Sequence, residues 1–243
     1  MNKISSSIRR EAQSFSFGAQ AIDSRLPQGI TRGALHEIYS DDCDGIVAIG
    51  FAILLALRSA PAKPIVLVRD ERSVGAFGRL YGDGIVDLGG DPEKFVIIHT
   101  ADALATLRSG ADAVDCSEVG TVVVEPWQAS PLFDLTASRR IALRAAKSGV
   151  LTLVVRIGTA PVPSTAATRW HVKSAQSAPF LAAAPGHSTF DIKLLRHRGG
   201  ICGLDARVEW DRDQRSFRDA PNPRAVPAVA IGRTRNTRIR RAG

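Results

Sequence analysis

Apolar positions in this chain come in short, nearly continuous blocks rather than alternating singly with polar ones. Val, Ile and Leu gather in Ala34–Tyr39, Pro64–Arg69, Phe95–Thr100, Thr121–Glu125 and Leu151–Arg156. Blocks of this kind mark strands buried on both faces, the habit of parallel sheets. Between them lie segments with helical character: Val47–Ser59, Ser73–Tyr81, Ala101–Ala113 and Asp134–Ser148. Thr100 or Asp102 is available to cap the third, and Gly149 closes the fourth. Strands alternating with helices of this length imply right-handed βαβ crossovers and an α/β, doubly wound, mostly parallel sheet.

The pattern changes after Gly158. A Pro/Ser/Thr/Ala stretch, Thr159–Ala167, leads to Arg169–Lys173, then Phe190–His197 and Ala206–Trp210. Phe190, Ile192 and Leu194 alternate with Asp191, Lys193 and Leu195, and Gly199–Gly200 offers a turn. This predicts an antiparallel C-terminal extension at one edge of the main sheet. The expected organisation is a short lead over 1–14, a core over 15–158, the extension of the same domain over 159–218, and a basic disordered tail over 219–243.

Composition adds two constraints. At 243 residues, 44% hydrophobic and 23% charged, the chain suits one soluble domain with a tail. The net charge of +8 is concentrated: six arginines follow Asp219, at 224, 233, 235, 238, 240 and 241, with no acid among them. The rest of the chain is close to neutral, so the basic balance belongs to the tail. The longest apolar run, Val47–Leu57, is broken by Gly50 and falls short of the ~18–20 residues of a membrane span. No apolar stretch follows the arginines of MNKISSSIRREAQ, so it does not read as a signal peptide, and the expected location is cytoplasmic. Cys43, Cys116 and Cys202 lie far apart without metal-ligand spacing. They are expected to be reduced and mostly buried thiols, and no metal or cofactor is predicted. Gly82, Gly84, Gly89 and Gly90 read as a turn-rich connection rather than a nucleotide loop.

FSFGAQAIDSRLPQGITRGALHEIYS, residues 15–40, resembles the opening of a RecA-type core. A lead ends at Ile22–Asp23, a Pro27–Gly29 turn and Gly33 follow, and a strand runs toward a long helix. LVRDE (67–71) and GTVVVEP (120–126) sit where that family has its second strand and its Walker B strand. Within the superfamily the chain is similar to the ImuA family of bacterial damage-inducible mutagenesis. RGALHEIY (32–39), FDLTASRRIALRAAKSGV (133–150), TRWHV (168–172), LLRHRGG (194–200) and VEWD (208–211) carry that similarity, which spans roughly residues 15–218. It implies a RecA-like doubly wound fold.

A working phosphate loop reads G-x-x-x-x-G-K-[ST], with backbone N–H groups around the phosphates, a lysine to neutralise them and a hydroxyl on Mg²⁺. The matching stretch here is Ser40-Asp41-Asp42-Cys43-Asp44-Gly45-Ile46-Val47. Gly45 alone is retained; Ile46 takes the lysine position and Val47 that of the metal-binding hydroxyl. Two like charges about 4 Å apart cost roughly 1 kcal/mol in water and about 4 kcal/mol at an effective dielectric of ~20. Three loop carboxylates facing a triphosphate would therefore outweigh a helix dipole worth ~0.3–2 kcal/mol. Glu71 matches the recombinase acid that polarises water, and Glu125 stands at the Walker B position. Each is either a relic that binds something or an ordinary strand-end carboxylate.

Cationic groups mark candidate contacts with DNA or an acidic partner. Arg140, Arg144 and Lys147 fall at helical spacing on one face with Arg139 beside them, while Leu135 and Leu143 supply apolar contact elsewhere. A solvated basic face explains the same pattern. Arg169, His171 and Lys173 share one side of a strand whose other side carries Trp170, read as core. Arg196 and Arg198 flank a turn, and the tail holds Arg233, Arg235, Arg238, Arg240 and Arg241.

The resemblance implies a non-catalytic adaptor in translesion synthesis. Its partners would be an ImuB-like Y-family polymerase homologue, the RecA recombinase and, through them, an error-prone replicative-type polymerase. The alternatives are a divergent DNA-dependent ATPase drawing charge from Arg69 or Arg156, and a SulA-like inhibitor of cell division.

Overall fold

A computed structural model of the chain describes residues 14–60, 62–180, 184 and 186–221. It is an α/β protein with a large, mostly parallel mixed sheet flanked by helices. The first strands, β1 (Ser14–Phe15) and β2 (Ile30–Thr31), form a small antiparallel pair around a short helix α1 (Gln20–Asp23). Then follow β3 (Leu35–Ser40), α2 (Gly45–Ser59), β4 (Ile65–Asp70), α3 (Glu71–Phe77), α4 (Gly82–Asp87), β5 (Phe95–Thr100) and α5 (Ala103–Val114). The order continues with β6 (Thr121–Glu125), α6 (Leu135–Ser148), β7 (Leu151–Ile157), β8 (Thr168–Ser174), β9 (Thr189–His197), β10 (Leu204–Asp211) and β11 (Ser216–Asp219).

Nine strands make one sheet in the order β11-β10-β9-β8-β3-β7-β6-β4-β5. Counted from β3 as first, the run is ninth, eighth, seventh, sixth, first, fifth, fourth, second, third. Two strands thus lie between the first and the second, unlike the dinucleotide-binding order, where those two are neighbours. β3 to β7 and β3 to β8 pair in parallel, as do β6 with β7, β4 with β6 and β4 with β5. The change to antiparallel comes between β8 and β9. Arg169–Lys173, expected within the antiparallel extension, is therefore the last parallel strand as well as the first of the meander.

Each face of the sheet has its own core. On one face α2 packs over Ile38, Leu67, Val123, Leu153, Val155, Trp170, Phe190 and Phe217. This helix is apolar all round and is buried accordingly. Its far side is closed by the N-terminal segment, through Phe17, Ile22, Leu26 and Ile30. That segment is fastened to the last strand: the Phe217 amide donates to the Phe17 carbonyl at 3.0 Å. The contact is so close that a Cβ on Gly18, whose φ is +95°, would lie 2.6 Å from the Phe217 carbonyl oxygen. Asp23 stabilises the bend by accepting from the amides of Phe17 and Gly18, both at 2.8 Å. On the other face α5 and α6 cover Leu35, Val66, Val68, Val122, Val124 and Val154. Asp102 and Asp134 cap these helices, accepting from Ala105 and Ala137, and Gly149 in the left-handed region ends α6.

Three expectations change. The segment Ser73–Tyr81 is not one helix: α3 starts at Glu71 and stops at Gly78, whose φ is +82°. The glycine-rich stretch after it, read as a connection, contains α4, which Gly82 and Gly84 had disguised. The three cysteines, expected to be mostly buried, are free thiols on the surface. Among the described residues no group of three or more His, Cys, Asp or Glu is placed to hold a metal, and no helix is long and apolar enough to cross a membrane. The tail lies outside the described residues from Asn222 onward.

His36, in β3, is fully enclosed. Nε2 donates to the Thr31 carbonyl at 2.8 Å, and Nδ1 lies 2.7 Å from the Thr168 hydroxyl, which also accepts from the Trp170 indole at 2.8 Å. The neutral Nε2–H ring satisfies every one of these bonds. Burial, with help from His197 and Arg198, lowers its pKa from 6.5 to about 4, against the opposing bond to Thr31. The unfolded chain then binds more protons than the folded one between those two values, so stability falls as pH drops through that window. The expected loss is about 3 kcal/mol between pH ~6.5 and ~4. Urea titrations across that range should show it, and His36→Asn should flatten it; an equal slope in the variant would assign the loss to other groups. Phe217, surrounded by Phe17, Phe51, Phe190 and Trp210, ties the extension to α2. Phe217→Ala should cost about 3–5 kcal/mol in chemical unfolding, whereas a loss under about 1 kcal/mol would make β11 peripheral.

Candidate functional site

In open α/β sheets ligands gather at the carboxyl ends of the strands. Here those ends bring together the turn after β3, the start of α3, the end of β6, Gly158 after β7 and the end of β8. The turn itself, Ser40–Gly45, contains one 3₁₀ turn at Asp42–Asp44 and feeds directly into α2.

The carboxylates of this turn do not all face outward, as the sequence suggested. Asp41 pairs with Lys173 Nζ at 2.7 Å and with His171 Nε2 at 3.4 Å. The Lys173 ammonium, with His171 adding to it, holds the Asp41 carboxyl below its ordinary range. Asp44 is buried and accepts from the amide and hydroxyl of Ser174, at 3.0 and 2.7 Å. Asp42 lies over Gly158, where φ is +62° and a Cβ would come within 1.8 Å of Asp42 Oδ1. Two of the three acids therefore staple the turn to β8, and repulsion of a triphosphate by three free charges is not the governing effect.

Occupancy is. A Cβ on Gly45 would fall 2.4 Å from Phe77 Cε1 and 3.0 Å from Ile157 Cγ2, so the Phe77 ring rests directly on the glycine that phosphates would approach. Trp127 backs it, with ring centroids 6.4 Å apart. The space left among Asp42, Ser73, Phe77, Trp127 and Ile157 is about 20 Å³, room for about one water. Cys43 is exposed, Ser40 is buried, and Val47 is half-buried; Ile46, at the lysine position, is 56% exposed.

Glu125 is equally committed. It sits in a buried ion pair with Arg69, Nε to Oε2 at 2.6 Å and Nη2 to Oε1 at 3.2 Å. Ser73 donates its hydroxyl to the same carboxylate, and Arg69 Nη1 donates to the Gly78 carbonyl at 2.7 Å. Glu71 is exposed in the first turn of α3, away from this group. The buried acid there is its neighbour Asp70, which caps α3 and receives the Arg72 guanidinium at 2.7 and 3.0 Å. Burial opposes the Asp70 charge, but bonds from Arg72 and the Trp127 amide outweigh it and lower the pKa. Sequence reasoning passed over Asp70; an Asp one residue before a helix is the signal that identifies it.

The arginines proposed to supply charge in place of the lysine are turned inward. Arg69 is spent on Glu125. Arg156 is buried beneath the Phe133 ring, 4.8 Å from its centroid, close to Tyr39, Glu37 and Arg169. Glu37 accepts from Tyr39 at 2.9 Å and pairs with Arg169 Nε at 2.9 Å.

The cationic candidates separate into three groups. Arg169, Arg196 and Arg198 hold the loop before β8. Arg169 donates to Val162 O and Ser164 Oγ, Arg196 donates to Ser164 O, and Arg198 donates to Thr165 O. His171 and Lys173 lie on the helix-free face of β8–β11, where charges oppose one another across the strands. Arg207 faces Asp191 at 2.7 Å, Lys193 faces Asp205 at 3.8 Å and Arg218 faces Glu209 at 2.6 Å. This face is balanced, not basic. On α6, Arg144 turns to α5 and pairs with Asp115 at 2.8 Å and Asp112 at 3.3 Å. Arg139, Arg140 and Lys147 remain exposed. Leu135 and Leu143, expected to supply apolar contact away from the basic face, are exposed beside it, Leu143 at 63%; Ser138, Ile141 and Ala145 make the buried face. Arg233, Arg235, Arg238, Arg240 and Arg241 lie outside the described residues.

No family model matches the chain. No curated protein matches its sequence either.

Removing one member of a buried pair leaves an uncompensated charge. Arg69→Met should lower stability by about 3–5 kcal/mol, and adding Glu125→Leu should recover most of it. Chemical unfolding of the single and double variants checks this; a double variant as unstable as Arg69→Met alone would contradict the assigned pairing.

Proposed function

We propose that this protein is a non-catalytic, RecA-like adaptor in damage-induced translesion synthesis. The strand order, with the β3 turn at the centre of a mostly parallel sheet, is compatible with a RecA-like core. The observation that carries the non-catalytic part is the filled turn: Phe77 rests on Gly45, and Asp41 and Asp44 are drawn into the fold. The acid at the Walker B position is neutralised by Arg69, which argues against a metal-binding role for it.

The reading as a damage-response adaptor rests on the ImuA-like phrases, several of which fall on elements with clear places in the fold. LTASRR begins α6, TRWHV forms most of β8, and VEWD ends β10. The partners proposed are an ImuB-like polymerase homologue and the RecA recombinase, with an error-prone replicative-type polymerase recruited indirectly. The exposed face of α6, with Arg139, Arg140, Lys147 and Leu143, is the surface offered to them. Arg69 is paired with Glu125, which disfavours the divergent ATPase for that residue, and Arg156 is buried beneath the Phe133 ring rather than presented at the turn. Nothing singles out a division-inhibitor role.

Two measurements test the proposal. Titration calorimetry with Mg·ATP should give no heat of binding, and micromolar affinity would overturn the non-catalytic reading. Purified recombinase and polymerase homologue should each be retained by the immobilised chain, with retention weakened about tenfold or more by Arg140→Glu/Leu143→Glu. Failure to retain either protein would overturn the adaptor reading.

A further inference from the structure

The two edges of the nine-stranded sheet are unlike. β11 is short, carries Arg218 and Asp219, and is bonded along its outer side to the N-terminal segment at Phe17 and Ala21. β5 is a six-residue strand, FVIIHT, with no Lys, Arg, Asp, Glu or Pro. Its register with β4 runs without a bulge from Phe95 to Thr100, and no described strand lies on its outer side. Successive residues of a strand point to opposite faces. Val96 is 49% and Ile97 41% exposed, so both faces are open at this edge. Proteins blunt such edges with charges, prolines, bulges or a covering element. β5 has none of the first three, and its two exposed side chains show that the fourth is incomplete.

We propose that β5 pairs antiparallel with β5 of a second copy of this chain, joining two sheets across a two-fold axis. The inference does not depend on the proposed function. An uncharged strand sets no like charges opposite each other in any self-pairing register, which removes the usual penalty against identical edges meeting. The same asymmetry explains closure at two copies. With β11 already bonded to Phe17, edge-to-edge growth has no second free edge, and the isologous contact is the one that terminates.

The test is the mass of the full chain in solution, by sedimentation velocity from low to high micromolar concentration. The expected result is a concentration-dependent dimer. Val96→Lys and Ile97→Lys, at exposed positions, should each raise the dissociation constant at least about tenfold with the circular dichroism of the native fold retained. Leu143→Lys on α6 is the control and should leave the mass unchanged. A monomer at every concentration would overturn the proposal, including the case in which β5 accepts an extended segment of a different protein. So would a dimer indifferent to both lysines, or one dissociated equally by Leu143→Lys.

Discussion

A helix as apolar as α2 has to be enclosed over most of its surface, and it imposes that condition on the whole molecule, with Ile46 at its start left exposed. The parallel strands cover only one of its flanks. Phe17, Ile22, Leu26 and Ile30 are brought over the opposite flank by the N-terminal segment, and Phe190, Trp210 and Phe217 complete the enclosure from the C-terminal strands. The first and last parts of the domain are consequently sewn together, Phe17 to Phe217, around a helix that follows the central strand. The meander β9–β11 is part of what keeps α2 out of water.

The burial of α2 also determines what its N-terminus can do. Phosphate loops work because the turn before a helix presents bare backbone N–H groups to a ligand. In this protein that turn begins in the sheet's centre, as it would in a nucleotide-binding domain, but its surroundings are taken up by the fold. Phe77 lies on Gly45, Asp44 binds Ser174, and Asp41 binds Lys173. Glu125, Arg69 and Ser73 form a closed set behind it. A site that elsewhere exchanges ligands is here a piece of interior, and such groups can be kept only if each charge has its partner.

The remaining surface is sorted by the same economy. Cations on the open sheet face are matched across the strands, and those beside the β7–β8 loop hold carbonyls. What stays unmatched on α6 is a mixed patch of Arg139, Arg140, Lys147 and exposed leucines. DNA backbone contacts gain from the cations but little from the leucines, whereas a protein partner gains from both. That difference favours protein docking over nucleic-acid binding at this helix.

The central strands β3, β4, β6 and β7 were legible in the sequence because a strand buried on both faces must be written in consecutive Val, Ile and Leu, whereas β5 carries the same kind of run at the sheet's edge, with Val96 and Ile97 exposed instead of buried. Three of the helices, α2, α5 and α6, were legible from length, Asp102 and Gly149, the expected Ser73–Tyr81 helix runs past the Gly78 at which α3 stops, and the absence of a lysine after Gly45 needs only the letters at 45–47. α4 escaped because its glycines read as turn residues, and of its own side chains Ile85 alone is buried. The fate of each charge was decided only in three dimensions. Asp41 and Lys173 are far apart in sequence, as are Arg69 and Glu125, and whether a side chain is a free charge or half of an ion pair depends on which strand ends the topology sets side by side. The chain alone therefore determined its layers and the lack of a lysine after Gly45. The tertiary structure decided that an aromatic ring and internal ion pairs, rather than repulsion, close the site.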